Sequence, residues 1–179
     1  MQNKRDLCTI LYQDFKKKKQ KHLRRFHDRL LKEAVLSLNK DYYELAVISY
    51  VLSKILSKSR YLSGVYREPM EEIEINLVEL IENCNSPKEW KKSIKDLETS
   101  IKNLEKEDPR FVITLIYKGK IKSAAVLYAQ GISLGLASQI TGVEKQEILN
   151  YAGKTMMFDR LKEEKGILER VKMARSMIE

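Results

Sequence analysis

The chain has 179 residues with 7 glycines and 3 prolines, which is enough for one domain with a substantial core, or for two small ones, and disfavours a sheet-rich fold with many turns. Its net charge of +9 is compatible with a polyanionic partner. No apolar run approaches the roughly 20 residues of a membrane span, and no signal peptide is recognisable, so we expect a cytoplasmic protein without a membrane segment.

The charge is distributed unevenly along the chain. Residues 1–40 carry a net charge of +8, residues 41–108 carry −4, and residues 109–179 carry +5. The two basic segments could bind a polyanion, or the acidic middle could neutralise them within the fold. The two cysteines, Cys8 and Cys84, form no motif, and we expect both to be reduced thiols in the core.

The N-terminal segment predicts long helices. Apolar residues recur at steps of three and four over residues 7–38. The lysine run 16–19 interrupts this stripe, and the sequence allows either a continuous helix or a break there. Asn39 or Asp41 is suited to cap the next helix, which ends before a loop over residues 57–69.

The acidic middle predicts a helical hairpin. Ser86 is placed as an N-cap, Pro87 occupies the first helical position, and Glu89 completes a capping box. Apolar residues then follow at alternating steps of four and three, which is typical of a coiled-coil seam. We expect this seam to pair with the preceding helix, and the alternative is a homodimer joined through it. The seam consists of Trp90, Ile94, Leu97, Ile101 and Leu104.

The C-terminal part predicts shorter helices that end at glycines. Pro109 begins a helix that contains Phe111 and is expected to end at Gly119. The remaining helices are predicted over 121–130, 133–141, 143–152, 155–165 and from 167 onward. The predicted fold is therefore all-α, with long N-terminal helical hairpins over 1–108 and a compact cluster of short helices over 109–179.

Residues 131–154 have the spacing of a helix-turn-helix. Ser133 can cap the first helix, Gly142 can form the turn, and Ala137 is small enough for close packing, with Ile140, Val143, Ile148 and Tyr151 also facing inward. The second helix carries groups that can contact bases or phosphates, but Glu144 and Glu147 would repel phosphate. The unit could equally serve for packing or for protein docking. Its candidate contact residues are Lys145, Gln146, Asn150 and Lys154.

The stretch from Leu127 to Val143 resembles a family of small prokaryotic antitoxin-like proteins that are encoded beside PIN-domain toxins. This resemblance covers a short part of the chain. It implies a helix-turn-helix and a regulatory role, and it raises a toxin or another protein as a partner. The residues that carry it are Leu127, Tyr128, Gly131, Ile132, Ser133, Leu134, Gly135, Ala137 and Gly142.

Residues 15–29 are the strongest electrostatic feature of the chain. A basic helix can follow a phosphate backbone and gain free energy from counterion release. The alternative is a solvated face that packs against the acidic middle. The candidate nucleic-acid contacts in this stretch are Lys16, Lys17, Lys18, Lys19, Lys21, Arg24 and Arg25.

No catalytic, cofactor or metal site is predicted. His22 and His27 are five residues apart, lack a cluster of further ligands and are expected on the surface. The residues Gly153, Lys154 and Thr155 resemble the end of a phosphate-binding loop, but the upstream glycine is missing. No nucleophile is paired with a base, and we therefore do not expect an enzyme.

Two functions remain on sequence grounds. The first is a non-enzymatic, regulatory protein that binds DNA or RNA through the basic helix and the helix-turn-helix. The second is a protein-interaction adaptor, antitoxin-like or a complex subunit, in which the helix-turn-helix is a docking surface. A basic face that joins residues 16–29 to residues 118–122 and 154 would favour the first.

Overall fold

The computed structural model describes residues 3–37, 39–106 and 115–160, apart from the side chains of Glu105, Asp159 and Arg160. Within these ranges every regular element is helical, and the all-α prediction is confirmed. The predicted boundary at residue 108, Leu38, Phe111 and the predicted final helix lie outside the described residues. The helices are α1 (Lys4–Lys16), α2 (Gln20–Ser37), α3 (Lys40–Leu56), α4 (Arg67–Glu82), α5 (Pro87–Lys106), α6 (Leu115–Ala129), α7 (Leu134–Thr141), α8 (Lys145–Lys154) and α9 (Met157–Arg160).

The chain forms two compact units, Met1–Ser123 and Ala124–Glu179. In the first unit, α3 is buried around most of its circumference and packs along α2. Two side chains fasten this pair to backbone carbonyls, since Ser49 Oγ donates to Leu23 at 2.7 Å and His27 Nδ1 lies 2.9 Å from the oxygen of Ala46. The core of this unit is therefore centred on α3.

The α4–α5 hairpin has the predicted arrangement. Ser86 caps α5 by accepting a hydrogen bond from the backbone N–H of Glu89 at 3.4 Å, and Pro87 is its first residue. The N–H of Ser86 donates to Asn83 instead of to the Glu89 side chain, so the reciprocal half of the capping box does not form as predicted. All five seam residues are buried, and Trp90 Nε1 donates to Glu44 Oε2 at 3.2 Å. The seam, which was the alternative site for a homodimer contact, is thus buried within the single chain.

Two glycines that were predicted to end helices lie inside them. Gly119 is within α6, where its Cα faces α3, and a Cβ there would lie 3.1 Å from Val51 Cγ2 and 3.3 Å from Val47 Cγ1. This glycine permits a close helix approach. Gly153 is likewise within α8. Gly142 does end α7, with a left-handed φ of 69°.

His27 contradicts the prediction that both histidines are on the surface. Its ring is 1% exposed and lies 5.4 Å from the ring of Tyr50, centroid to centroid. Burial lowers the pKa of His27 to about 4, and the charges of Lys122 and Arg24 act in the same direction. His27 is therefore a neutral core residue at physiological pH. The residue occurs on the apolar stripe of α2, four residues after Leu23, which explains its burial.

In the second unit, α7 and α8 are joined by a short turn. Ser133 Oγ caps α7 by accepting from the N–H of Leu136 at 3.2 Å. The predicted inward residues Ala137, Val143 and Ile148 are buried, whereas Ile140 and Tyr151 are half-buried. The short helices and small buried side chains allow the pair to approach closely.

Candidate nucleic-acid interface

The lysine run forms a sharp corner between α1 and α2. The backbone N–H of Lys18 donates to Phe15 at 2.9 Å, and that of Lys19 donates to Asp14 at 2.8 Å. Lys18 has a left-handed φ of 52°. These are the two hydrogen bonds and the left-handed residue of a Schellman motif, with lysine where glycine is usual. The sequence allowed either a continuous helix or a break at the lysine run, and the structure has the break.

This corner surrounds an open depression lined by basic and neutral side chains. Among the described residues that line it, none is a carboxylate. Asp14 is buried, and its Oδ2 contacts Nδ1 of the lining residue His22. We call this surface the basic corner, and its lining residues are Lys18, Lys19, Gln20, Lys21, His22 and Arg25.

The basic corner brings together four of the seven basic residues predicted in this stretch. Lys18, Lys19, Lys21 and Arg25 line it, and Lys17 is exposed beside it. The turn places the lysines on a bend between two helix ends instead of along one helix face. The N-terminus of α2, an 18-residue helix, lies at the same place and adds the partial positive charge of its dipole.

Lys16 differs from its neighbours. Its ammonium group donates to Tyr12 Oη at 2.9 Å and lies 3.4 Å from Glu74 Oε1. The hydrogen bond to Tyr12, followed by that to Glu74, raises the pKa of Lys16. The acidic helix α4 therefore neutralises this lysine in part, as the alternative interpretation of the basic stretch required. It does so for one residue of the run.

A second group of cations lies on α2, α3 and α6 within the first unit. Lys122 Nζ is 4.4 Å and Lys54 Nζ is 5.6 Å from the ring centroid of Tyr50, so their charges are no farther apart than about one Debye length, ~10 Å. Burial, followed by the charges of Arg24 and Lys118, lowers the pKa of Lys54. We call Arg24, Lys54, Lys118 and Lys122 the Tyr50 cluster.

The predicted site residues of the second unit are exposed on α8. Lys145, Gln146, Asn150 and Lys154 all reach solvent. Gln146 Nε2 donates to Asn150 Oδ1 at 3.1 Å, so the two amides partly satisfy each other. Glu144, at the start of the helix, is also exposed. The surface of α8 is therefore polar and mixed in charge.

Apart from Arg24, the residues of the Tyr50 cluster were not predicted as nucleic-acid contacts from the sequence. Lys54 is on a helix predicted only from its apolar face, and Lys118 and Lys122 are on another helix far along the chain. Their proximity depends on how α6 packs on α3 at Gly119. Gly119 was the one sequence feature that could have indicated this helix contact, but it was interpreted as the end of a helix.

Comparisons with protein-family models, with curated protein sequences and with solved structures find no match. Among the described helices, none combines the length and apolarity that crossing a membrane requires. In the same parts of the chain, no three His, Cys, Asp or Glu side chains converge in a way that could hold a metal ion. Both cysteines are buried and free, and burial, followed by the proximity of Cys84, raises the pKa of Cys8 to about 12.

Proposed function

We propose that this protein binds nucleic acid, DNA or RNA, without catalysing a reaction, and that its binding has a regulatory role. The observation that carries the proposal is the basic corner, in which Lys18, Lys19, Lys21 and Arg25 surround a depression with no carboxylate among its described lining residues. Cations that no carboxylate of the fold neutralises can bind phosphates without breaking an ion pair within the protein. The counterions released from the nucleic acid then contribute favourable free energy of binding.

The geometry of the corner suits a phosphate backbone. Lysine and arginine are the main donors to phosphate oxygens in nucleic-acid complexes, and a helix N-terminus favours an anion. A turn with fixed hydrogen bonds presents these side chains from a rigid backbone, so that less conformational entropy is lost on binding. Such contacts position the protein without specifying a base sequence.

The Tyr50 cluster extends the positive surface along α2. Arg24 belongs to the same helix as Lys21 and Arg25 and also to the cluster with Lys118 and Lys122. This supports one part of the basic face that would favour nucleic-acid binding, the part between residues 16–29 and 118–122. Lys154, the remaining part, belongs to the second unit. Asp28, on the same helix, interacts with Lys122 and Arg24, so the fold already balances part of this charge. A polyanion would meet the remaining positive charge.

The α7–α8 pair would dock or orient the bound nucleic acid. Its capping serine, its glycine turn and its small buried residues are compatible with a helix-turn-helix. Lys145 would contact phosphate, and Gln146 and Asn150 would contact phosphate or base edges. The exposed Glu144 opposes phosphate, so we assign α8 an orienting role and the basic corner most of the affinity.

A second candidate function, protein docking by the second unit, is favoured by a different observation. Leu149, Met156 and Phe158 are 38%, 66% and 46% exposed, which is high for large apolar side chains. A contiguous patch of such side chains would be typical of a protein interface. In this alternative the α7–α8 region binds a protein partner, as the antitoxin-like resemblance implies, and the lysines keep the chain soluble.

Equilibrium binding to generic duplex DNA and to RNA over a series of salt concentrations tests the first function. The affinity of variants that remove charge from the basic corner is compared with that of variants that remove an equal charge from α5. A protein that binds neither nucleic acid at low salt, with its fold intact, would leave protein docking as the better account.

A further inference from the structure

A cavity of about 270 Å³ opens in the first unit next to the basic corner. It lies where the end of α1 and the α1–α2 turn meet the end of α3, two 3₁₀ turns (Ser59–Leu62 and Gly64–Tyr66) and the start of α4. The lining includes buried Phe15 and Tyr61 and also Leu62, which is 42% exposed. An apolar molecule here would cover surface that the folded chain leaves in contact with water.

The charged groups of the lining carry one uncompensated positive charge. Lys16 Nζ lies 3.4 Å from Glu74 Oε1, and Arg67 Nε donates to Glu71 Oε1 at 2.8 Å. These two pairs use both carboxylates of the lining. Lys18 is the third cation, and the part of the chain that the structure describes offers it no carboxylate within 4.0 Å. The cavity therefore complements a ligand with a single negative group.

We propose that this cavity binds a small organic carboxylate with an aliphatic body. The aliphatic part would pack against Phe15, Tyr61 and Leu62, and the carboxylate would pair with Lys18. The cavity volume of about 270 Å³ suits a small ligand. Octanoate is a suitable probe. Lys18 also lines the basic corner, but the proposal is separate from nucleic-acid binding because octanoate is titrated with no nucleic acid present.

Calorimetric titration of the full chain, in the absence of nucleic acid, tests the ligand class. Octanoate is compared with octyltrimethylammonium, which reverses the charge, and with 1-octanol, which removes it. We expect saturable binding of one octanoate, with the cation about fivefold weaker or undetectable, because reversing the charge replaces attraction to Lys18 by repulsion. Methyl resonances of Leu62 and Met70 would shift with the same saturation. Absence of saturable octanoate binding, or equally tight binding of the cation, would overturn the proposal.

Paired variants test the location. Lys18→Asn removes the charge and keeps a residue that tolerates left-handed backbone, and Lys17→Asn is the matched control outside the lining. We expect octanoate affinity to fall about three- to fivefold for the first, because Lys18 is exposed, and less than twofold for the second. Leu62→Asn, at a position that is 42% exposed, would weaken octanoate and 1-octanol alike. Equal effects of the two lysine variants would show that binding follows net charge, and would overturn the assignment to this cavity.

Discussion

The backbone N–H of Lys19 donates to the carbonyl of Asp14 at 2.8 Å, and this hydrogen bond closes the turn that ends α1. It requires Lys18 to adopt a left-handed backbone, which costs a residue with a Cβ about 1 kcal/mol relative to glycine. The same turn spreads the lysines around the basic corner.

Lys18→Gly is therefore expected to raise the free energy of unfolding by about 1 kcal/mol and to weaken nucleic-acid binding. Urea denaturation and fluorescence anisotropy with labelled duplex measure the two effects. Lys17→Gly is the control, because Lys17 has a φ of −84° and gains nothing from glycine. A loss of stability in Lys18→Gly would contradict the left-handed assignment.

Gly119 allows α6 to approach α3 closely, and Gly153, on α8, is the matched control. At Gly119, an alanine Cβ would press on the branched side chains of buried Val47 and Val51, which have little rotamer freedom. We expect Gly119→Ala to destabilise the protein by about 1 kcal/mol or more, despite the better helix propensity of alanine. Gly153→Ala meets open space and is expected to be neutral or stabilising by up to ~1 kcal/mol. Similar effects at the two sites in thermal denaturation would contradict this packing.

His27 predicts a specific loss of stability in acid. Because its pKa falls from 6.5 in the unfolded chain to about 4 in the fold, the unfolded chain alone takes up a proton between these values. The stability contributed by neutral His27 is thus complete above pH 6.5 and lost as the pH falls to about 4, by about 3 kcal/mol. In His27→Asn, which retains a donor for Ala46, that part of the pH dependence is expected to vanish. Unfolding free energies from pH 7 to pH 4 measure it, and parallel profiles would refute a neutral buried histidine.

The double variant Lys145→Ala, Gln146→Ala tests the role of α8. If α8 reads bases, the difference in affinity between a preferred and a random sequence is expected to narrow, by about 1–3 kcal/mol for a bidentate contact. If α8 contacts only phosphate, the loss is uniform across sequences. Competition assays with a selected duplex and a scrambled one distinguish these results. No effect on either duplex would assign α8 to packing or to protein docking.

Local signals in the sequence predicted much of the fold. The caps at Ser86 and Ser133 and the turn at Gly142 were predictable, because each depends on neighbouring residues alone. The break at Lys18 was only one of two possibilities, since a left-handed lysine has no sequence marker. Gly119 was misassigned, because glycine serves both to end helices and to let them touch.

The part of the candidate site that depends on neighbouring residues was predictable from the sequence. The lysine run is contiguous, so its positive charge was evident from the sequence. The bend that arranges these lysines into the basic corner was not evident. The partial neutralisation of Lys16 by Glu74 and the Tyr50 cluster both arise from tertiary contacts between distant segments. His27 could have been found, because it continues the apolar stripe of α2.

The most direct test of the central claim compares two triple variants that each remove three positive charges. Lys19→Gln, Lys21→Gln, Arg25→Gln alters the basic corner, and Lys88→Gln, Lys91→Gln, Lys95→Gln alters exposed positions on α5. Affinity for duplex DNA and for single-stranded RNA is measured by anisotropy across a salt series. We expect the corner triple to weaken binding and to flatten the slope of log affinity against log salt by about 0.7–0.9 for each lost contact, with little change in the α5 triple. Equal weakening by both triples, or no binding by the folded wild-type chain at low salt, would contradict the account.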